Sequence, residues 1–155
     1  MTRLAVFIST FGYIGLFPVA PGTVGSLGGL VVYAILEGLA APLGVRAAVI
    51  AVVFAIGVWS ATVAERHFGG VDPGAIVVDE VAGMLITLFL VPVSLTGAVA
   101  GFLLFRVFDI IKPFPARRLE RLHGGLGVMC DDAMAAVYAN LCLRGLWWIA
   151  GEWIV

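Results

Sequence analysis

Charge is scarce in this sequence. Only 12% of its 155 residues are charged, whereas 62% are hydrophobic, and its mean hydropathy is +1.12. A soluble domain is usually about 25% charged, and a soluble domain of this length could not hide so many apolar side chains, because small domains keep a large exposed fraction. The composition therefore predicts a membrane protein whose surplus apolar surface faces lipid.

The sequence also lacks an excess of basic residues, and it has few cysteines. The net charge is −1, which excludes the electrostatic basis of nucleic-acid binding. Cys130 and Cys142 do not form a C-x-x-C pair, so we expect neither a disulfide framework nor a redox motif. No linker, repeat or low-complexity segment divides the chain, so we expect one domain over residues 1–155. Nothing in the sequence indicates an oligomeric state.

Three long stretches carry no charge, at residues 4–36, 47–64 and 81–105. A membrane-spanning helix needs about 20 mostly apolar residues. Prolines and glycines interrupt the first stretch, and Pro92 interrupts the third. We therefore expect an all-α, polytopic membrane helical bundle with about four to five membrane-embedded helices and a short amphipathic interfacial helix. The predicted membrane-embedded helices are 26–41, 47–64, 76–91, 96–111 and 127–150, and the amphipathic interfacial helix is 113–122. A further short helix at 2–16 either lies in the interface, re-enters or crosses, and the sequence leaves this choice open.

This arrangement places most basic residues in loops on one side of the membrane. That side holds Arg66, Lys112, Arg117, Arg118 and Arg121. The opposite side holds only Arg46 and Arg144. We interpret Arg144, with Glu37 and Glu152, as an interface residue. Basic residues in short loops mark the cytoplasmic face, so the first side is predicted to be cytoplasmic. Anchoring at that face is the simplest interpretation of Arg118 and Arg121.

Five carboxylates fall on the same side, in three separate segments. Their depth in the membrane would be costly unless they pair, bind a metal or face water, and held together they would repel one another. A divalent cation resolves that conflict, and a set of carboxylate oxygens suits Mg²⁺. The predicted metal ligands are Asp79, Glu80, Asp109, Asp131 and Asp132.

Cationic and glycine-rich segments accompany these carboxylates. Arg106 and Asp109 share one helix face, and Lys112 follows three residues later. An internal salt bridge explains Arg106 and Asp109 alone, but a phosphate ligand better explains the whole basic group. The glycine-rich segment 20–29 opens a helix whose amino terminus would attract an anion, with Thr23 as a donor. Its glycines are equally suited to close helix packing.

Several phosphatase chemistries are excluded by the absence of their motifs. No cysteine is followed five residues later by an arginine, and no Asp-x-Asp pair follows an amino-terminal strand. No serine–histidine–aspartate arrangement is present. Metal-assisted attack by water remains. A small transporter or ion-binding protein is the alternative, but its acids should thread the membrane rather than cluster on one side.

Four blocks carry a resemblance to a known family. They are Pro-Gly-Thr-Val-Gly-Ser at 21–26, Val-Asp-Glu-Val-Ala-Gly at 78–83, Phe-Arg-Val-Phe-Asp-Ile-Ile-Lys-Pro-Phe-Pro at 105–115 and Gly-Gly-Leu-Gly-Val-Met-Cys-Asp-Asp at 124–132. In order and spacing the chain resembles the phosphatidylglycerophosphatase A family. The resemblance implies a helical, Mg²⁺-dependent phosphatase of the bacterial cytoplasmic (inner) membrane, with its active site facing the cytoplasm. The implied reaction converts phosphatidylglycerophosphate of the cytoplasmic leaflet to phosphatidylglycerol.

The site hypothesis gives each residue type a role. We expect the five carboxylates to hold one or two Mg²⁺ ions, with Glu80 as the general base and Asp131 and Asp132 as further catalytic residues. Arg106 and Lys112 would bind the phosphate and stabilise developing charge. Thr23 would donate to the same phosphate as the 21–26 segment closes over it.

Overall fold

The computed structural model describes residues 1–70 and 72–154, and throughout this part of the chain the regular elements are helical, as predicted. They are α1 (Thr2–Ser9), a 3₁₀ turn (Ile14–Leu16), α2 (Pro21–Gly38), α3 (Leu43–Phe68), α4 (Val78–Leu88), α5 (Leu95–Ile111), α6 (Ala116–Leu119) and α7 (Gly125–Ile154).

Three predicted segments differ most from the structure. The helix expected at 2–16 ends at Ser9, because Phe11, Gly12 and Tyr13 all have positive φ angles. The segment interpreted as a loop before residue 26 is already helical from Pro21, a residue suited to the first helical turn because its missing N–H has no partner there anyway. The amphipathic helix expected at 113–122 is a single turn, Ala116–Leu119.

Helix α4 lies at the centre of the molecule and packs against α7 and α2. Nine of its eleven residues are buried, which is why its short sequence reads as almost uniformly apolar after Glu80. Phe105 of α5 fills the space beside Gly83, where a Cβ would lie 2.4 Å from the ring. Ala135, Ala136 and Ala139 on α7 are fully buried in the same core. Small residues at these positions let the helix backbones approach closely.

The carboxyl end of α4 is held by side chains of α7. The Asn140 amide donates to the carbonyls of Ile86, Thr87 and Phe89 at 3.3, 2.8 and 2.9 Å. The Arg144 guanidinium donates to Asn140 Oδ1 and to the Phe89 carbonyl. The last carbonyls of a helix have no partner within the helix, so these bonds tie α4 to α7. The interpretation of Arg144 as an interface residue was therefore incomplete.

Among the described residues, two helices are long and apolar enough to cross a membrane by length and composition, Leu43–Phe68 and Gly125–Ala150. The apolar window of α3 has a mean hydropathy of 2.3, yet only 22% of it is buried. An apolar helix that contributes so little to a core would be anomalous in water. The expected count of four to five membrane-embedded helices is not confirmed.

Candidate active site

Three carboxylates from two helices converge at the amino end of α4. Oxygen atoms of Asp79, Glu80 and Asp132 all lie within 4.8 Å of one another. Asp79 and Asp132 are 5% and 3% exposed. Asp79 and Glu80 occupy the first turn of α4, where the partial positive charge of the helix terminus favours anions. The helix terminus therefore stabilises the negative charges of Asp79 and Glu80 but does not neutralise them.

Apolar packing one turn away explains why these acids meet. Val78 and Ala82 of α4 belong to the same buried cluster as Val128 and Met129 of α7. Residues three and four apart share a helix face, so burying Val128 and Met129 in this cluster directs Asp132 towards Asp79 and Glu80. The hydrophobic pattern and the site are thus parts of one helix interface.

Several oxygens of this group are buried without a partner. Within the described part of the chain, Asp79 Oδ1, Glu80 Oε2 and Asp132 Oδ2 find no hydrogen-bond donor. An unsatisfied buried polar atom costs about 1–3 kcal/mol, and more when it is charged. Converging carboxylates with free lone pairs match the hard-oxygen ligation that Mg²⁺ prefers. The residues present fit a divalent cation.

A guanidinium lies beside the carboxylate group. Arg106 Nη1 is 2.7 Å from Asp109 Oδ2 and 3.7 Å from Glu80 Oε1. All three side chains are largely buried, with 18%, 13% and 12% of their surface exposed. Arginine has five N–H donors, so the contact with Asp109 leaves donors for another anion. The internal pair predicted from the i, i+3 spacing is present.

The amino terminus of α2 closes this part of the site. A Cβ built on Gly22 would lie 2.2 Å from Glu80 Oε1 and 3.1 Å from Arg106 Nη1. Any larger residue at this position would displace the ends of both side chains. Gly22 therefore brings the amino end of α2 directly against the acid and the guanidinium, and Thr23 is the next residue of the same turn. Within the same helix the Ser26 hydroxyl donates to the Gly22 carbonyl at 2.9 Å.

Lys112 forms a second charged group with Asp131. Its Nζ donates to Asp131 Oδ2 at 2.6 Å and lies 3.5 Å from Glu120 and 3.9 Å from Asp72. Burial opposes charge on the ammonium, but the hydrogen bond and charge of Asp131, with the charges of Asp72 and Glu120, raise the pKa of Lys112 above its usual value. Burial raises the pKa of Asp72, although Lys112 opposes this.

The structure thus divides the predicted residues into two adjoining groups. Asp79, Glu80 and Asp132 form the first, with Arg106 and Asp109 against it, and Lys112 with Asp131 forms the second. The role of Thr23 as a donor stays a prediction.

Gly22 as a contact residue, and Asp72 and Glu120 as partners of Lys112, were not identified from the sequence. Gly22 stood in a recognised glycine-rich segment. Asp72 lies in a loop distant in sequence from Lys112, and no periodicity connects the two.

A cavity at the other end of the molecule is separate from this chemistry. It has a volume of about 540 Å³ and is lined in part by Glu37 and Arg46. These two side chains form an ion pair with each other. Glu37 is near the end of α2, whereas Gly22 begins it, a separation of roughly 22 Å along the helix. The charges of this cavity therefore neutralise each other away from the carboxylates.

Comparison with known proteins places the chain among lipid phosphatases. A family model described as Phosphatidylglycerophosphatase A matches residues 7–147. Proteins named phosphatidylglycerophosphatase A are similar to it in Haemophilus influenzae, at 43% identity over 81% of this chain and 77% of the relative, and in Escherichia coli, at 38% identity over 79% and 72%.

A Bacteroides thetaiotaomicron protein, provisionally named a phosphatidylinositol-3-phosphatase, is 38% identical over 96% of both chains. No solved structure matches the chain.

Proposed function

The chain belongs to the phosphatidylglycerophosphatase A family, and from this premise we propose that it hydrolyses the terminal phosphomonoester of phosphatidylglycerophosphate, in a Mg²⁺-dependent reaction, to phosphatidylglycerol and phosphate. The family assignment makes it an enzyme, a lipid phosphatase. The observation that carries the proposed reaction is the convergence of Asp79, Glu80 and Asp132 within 4.8 Å, with Arg106 beside them.

Asp79, Glu80 and Asp132 would hold the Mg²⁺, because their unpartnered buried oxygens are the ligands the ion requires. Asp109 lies next to this group, and Asp131 borders it through Lys112. When bound, the ion supplies positive charge that polarises the phosphomonoester and favours an ionised water. We propose that Asp109 and Asp131 complete this ligand set, which holds one or two ions.

The cationic side chains bind the phosphate in this proposal. Arg106 keeps free N–H donors after its contact with Asp109, and these suit bidentate binding of phosphate oxygens. Lys112 contributes a point charge whose protonation is secured by Asp131. Both stabilise the negative charge that develops on the phosphoryl oxygens. Thr23 donates from the first turn of α2, where the helix terminus favours an anion.

Glu80 acts as the general base. Its Oε1 lies 3.7 Å from Arg106 and its Oε2 is without a partner among the described residues. A carboxylate has about four lone-pair sites, so Glu80 can contribute one to the ion and take a proton on another. The proton comes from the water that attacks phosphorus. The bond from phosphorus to the headgroup oxygen breaks, and that oxygen takes a proton to become the alcohol of phosphatidylglycerol. Asp132 and Asp131 keep the ion and Lys112 in place.

The substrate would be reached from the cytoplasmic leaflet of the bacterial inner membrane. Support comes from the apolar, little-buried α3 and from α7, and we propose that α2, α4 and α5 are embedded with them in one domain over residues 1–155. The site lies on the same side as the basic loop residues Arg66, Arg117, Arg118 and Arg121, which favours a cytoplasmic orientation. The acyl chains of the lipid then remain in the bilayer during catalysis.

The transporter alternative is not favoured. The acids converge at one end of the bundle, whereas a cation pathway needs polar groups near the midplane of several helices. The family assignment also favours hydrolysis.

The two substrates named among the relatives share one chemical feature. Phosphatidylglycerophosphate and phosphatidylinositol 3-phosphate both carry a headgroup phosphomonoester beyond a phosphodiester that joins the headgroup to diacylglycerol. We therefore propose lipids of this two-phosphate kind as the substrate class. Phosphatidylglycerophosphate is the favoured member, because two relatives and the family model carry its name.

The testing experiment measures phosphate release by detergent-purified protein with each lipid, in Mg²⁺ and in excess chelator. We expect release from phosphatidylglycerophosphate that requires Mg²⁺ and is lost in Asp132→Asn. Glu37→Gln is the control, since Glu37 lies in an exposed ion pair at the other end of the molecule. If phosphate is released only from the inositol lipid, that lipid is the substrate and phosphatidylglycerophosphate is not. If folded protein releases no phosphate from either lipid, the phosphatase proposal is wrong.

A further inference from the structure

The segment that follows α5 forms a basic pocket beside the carboxylates. The pocket has a volume of about 560 Å³ and lies between the end of α5 and α6. Its lining residues are Ile111, Lys112, Pro113, Phe114, Arg117, Arg118 and Arg121. Four cationic side chains therefore border one opening of the molecule, and only one of them, Lys112, belongs to the site described above.

None of the three arginines forms an ion pair within the described part of the chain, although Arg117 and Arg121 also line a neighbouring pocket with Glu65 and Glu120. No carboxylate of the described residues lies within 4.0 Å of Arg117, Arg118 or Arg121, and all three side chains are exposed. The Arg118 guanidinium stacks over the exposed Phe114 ring, 4.9 Å from its centre, which restrains it and leaves its edge available. A group of exposed guanidinium edges beside an apolar ring suits a phosphate at a membrane interface.

The pocket is fixed relative to the carboxylates by two contacts. Lys112 lines the pocket and also donates to Asp131 at 2.6 Å. The Tyr138 hydroxyl donates to the Phe114 carbonyl at 2.7 Å, which ties the pocket wall to α7, the helix that carries Asp131 and Asp132. An anion in the pocket is thus separated from the catalytic group by a single side chain, Lys112.

We propose that this pocket binds the phosphodiester of the substrate while the terminal phosphomonoester occupies the carboxylate site. The inference rests on the proposed function and extends it, because it assigns Arg117, Arg118 and Arg121 to recognition of the second phosphate. A lipid with both phosphates engages both groups of cations. Phosphatidic acid, which has the monoester and no phosphodiester, engages only the first. The arginines therefore determine specificity.

Charge complementarity with the substrate favours this occupant over general attraction to an anionic bilayer. General attraction to an anionic bilayer needs only exposed basic residues on that face of the protein. The exposed Arg66 at the end of α3 would then contribute as much as the pocket arginines. The cavity instead concentrates three arginines around one opening that adjoins Lys112. A bilayer-anchoring role remains as a distinct outcome of the test.

The test compares wild type, the triple variant Arg117→Gln, Arg118→Gln, Arg121→Gln, and Arg66→Gln as the matched control outside the pocket. Phosphate release is measured with dilute phosphatidylglycerophosphate or phosphatidic acid in neutral detergent micelles, which carry no surface charge. We expect kcat/KM for phosphatidylglycerophosphate to fall about tenfold or more in the triple variant, as expected for lost charge-assisted hydrogen bonds, mainly through KM. For phosphatidic acid the change should be under about twofold by the same reasoning, and Arg66→Gln should resemble wild type.

Equal losses for both lipids, or no loss for either, would overturn the assignment, and losses that appear only on anionic vesicles would identify anchoring instead. A binding measurement separates the pocket from the catalytic proposal. Tail-labelled phosphatidylglycerol, which has the phosphodiester and no monoester, is titrated in neutral micelles and followed by fluorescence anisotropy. If wild type releases no phosphate yet binds this lipid more tightly than the triple variant does, the proposed function fails and the pocket stands. Equal binding by both proteins overturns the pocket.

Discussion

Gly22 lies against Glu80, so close that a Cβ on Gly22 would be 2.2 Å from Glu80 Oε1. The first turn of α2 and the first turn of α4 therefore meet at the acid proposed as the general base. This contact gives a reason for glycine at the start of α2 that helix formation alone does not, since glycine is unfavourable in a helix relative to alanine.

Gly22→Ala should lower activity while leaving the protein folded. The added methyl group forces Glu80 and Arg106 to move, and we expect kcat/KM for phosphatidylglycerophosphate to fall by about 100-fold, the loss typical of a misplacement near 1 Å. Gly38→Ala at the other end of α2 is the matched control, because nothing lies within 4 Å of a Cβ there. Comparable activity in the two variants would contradict the role of the contact.

Removing one of the converging acids should largely abolish the stabilisation of the protein by Mg²⁺. Without metal, Asp132→Asn relieves repulsion among buried carboxylates, so we expect its melting temperature in chelator to be at or above that of wild type. Adding Mg²⁺ should raise the melting temperature of wild type, since ligand at 100 times its Kd stabilises by about 2.7 kcal/mol. Asp132→Asn should show little of that rise.

Thermal unfolding in detergent provides this measurement without any substrate. Glu37→Gln serves as the control and should keep the full response to Mg²⁺, because its ion pair with Arg46 is partly exposed and such pairs contribute at most about 1 kcal/mol. A Mg²⁺ response in Asp132→Asn equal to that of wild type would exclude Asp132 as a ligand.

Replacing Lys112 while Asp131 is kept should destabilise the protein. Asp131 is 2% exposed, so Lys112→Met leaves a buried carboxylate without its cation and should destabilise the protein by about 3 kcal/mol. Adding Asp131→Asn to the Lys112→Met variant should restore part of the lost stability. A double-mutant cycle in denaturant measures the coupling, and additive effects of the two changes would show that the pair is not coupled.

The Asn140 side chain should stabilise the carboxyl end of α4, which is the end opposite the carboxylates. Asn140→Leu removes the amide nitrogen that donates to three carbonyls at the end of α4, and unsatisfied buried carbonyls cost about 1–3 kcal/mol each. We expect a lower melting temperature and faster hydrogen exchange in α4. Cys142→Ser, two residues along and exposed, is the control. Unchanged exchange in α4 would contradict the role assigned to Asn140.

Much of the fold followed from composition and from the position of prolines and glycines. The shortage of charge predicted helices in an apolar environment, and the break at Pro92 correctly separated α4 from α5. The end of α1 was missed because three consecutive positive φ angles at residues 11–13 depend on how this segment packs. The early start of α2 was missed because its glycines suggested a loop, whereas the structure uses them for contact with Glu80 and Val77.

The sequence by itself determined the helical class, the family and the identity of the charged residues, because these depend on residue type and local order along the chain. Tertiary structure alone decided which charges meet. Asp131 and Asp132 are neighbours in sequence, yet they point to Lys112 and to Asp79 respectively, because successive residues on a helix are about 100° apart and the buried face of α7 at Val128 and Met129 fixes its rotation. Helix packing therefore divided one run of acids into two groups.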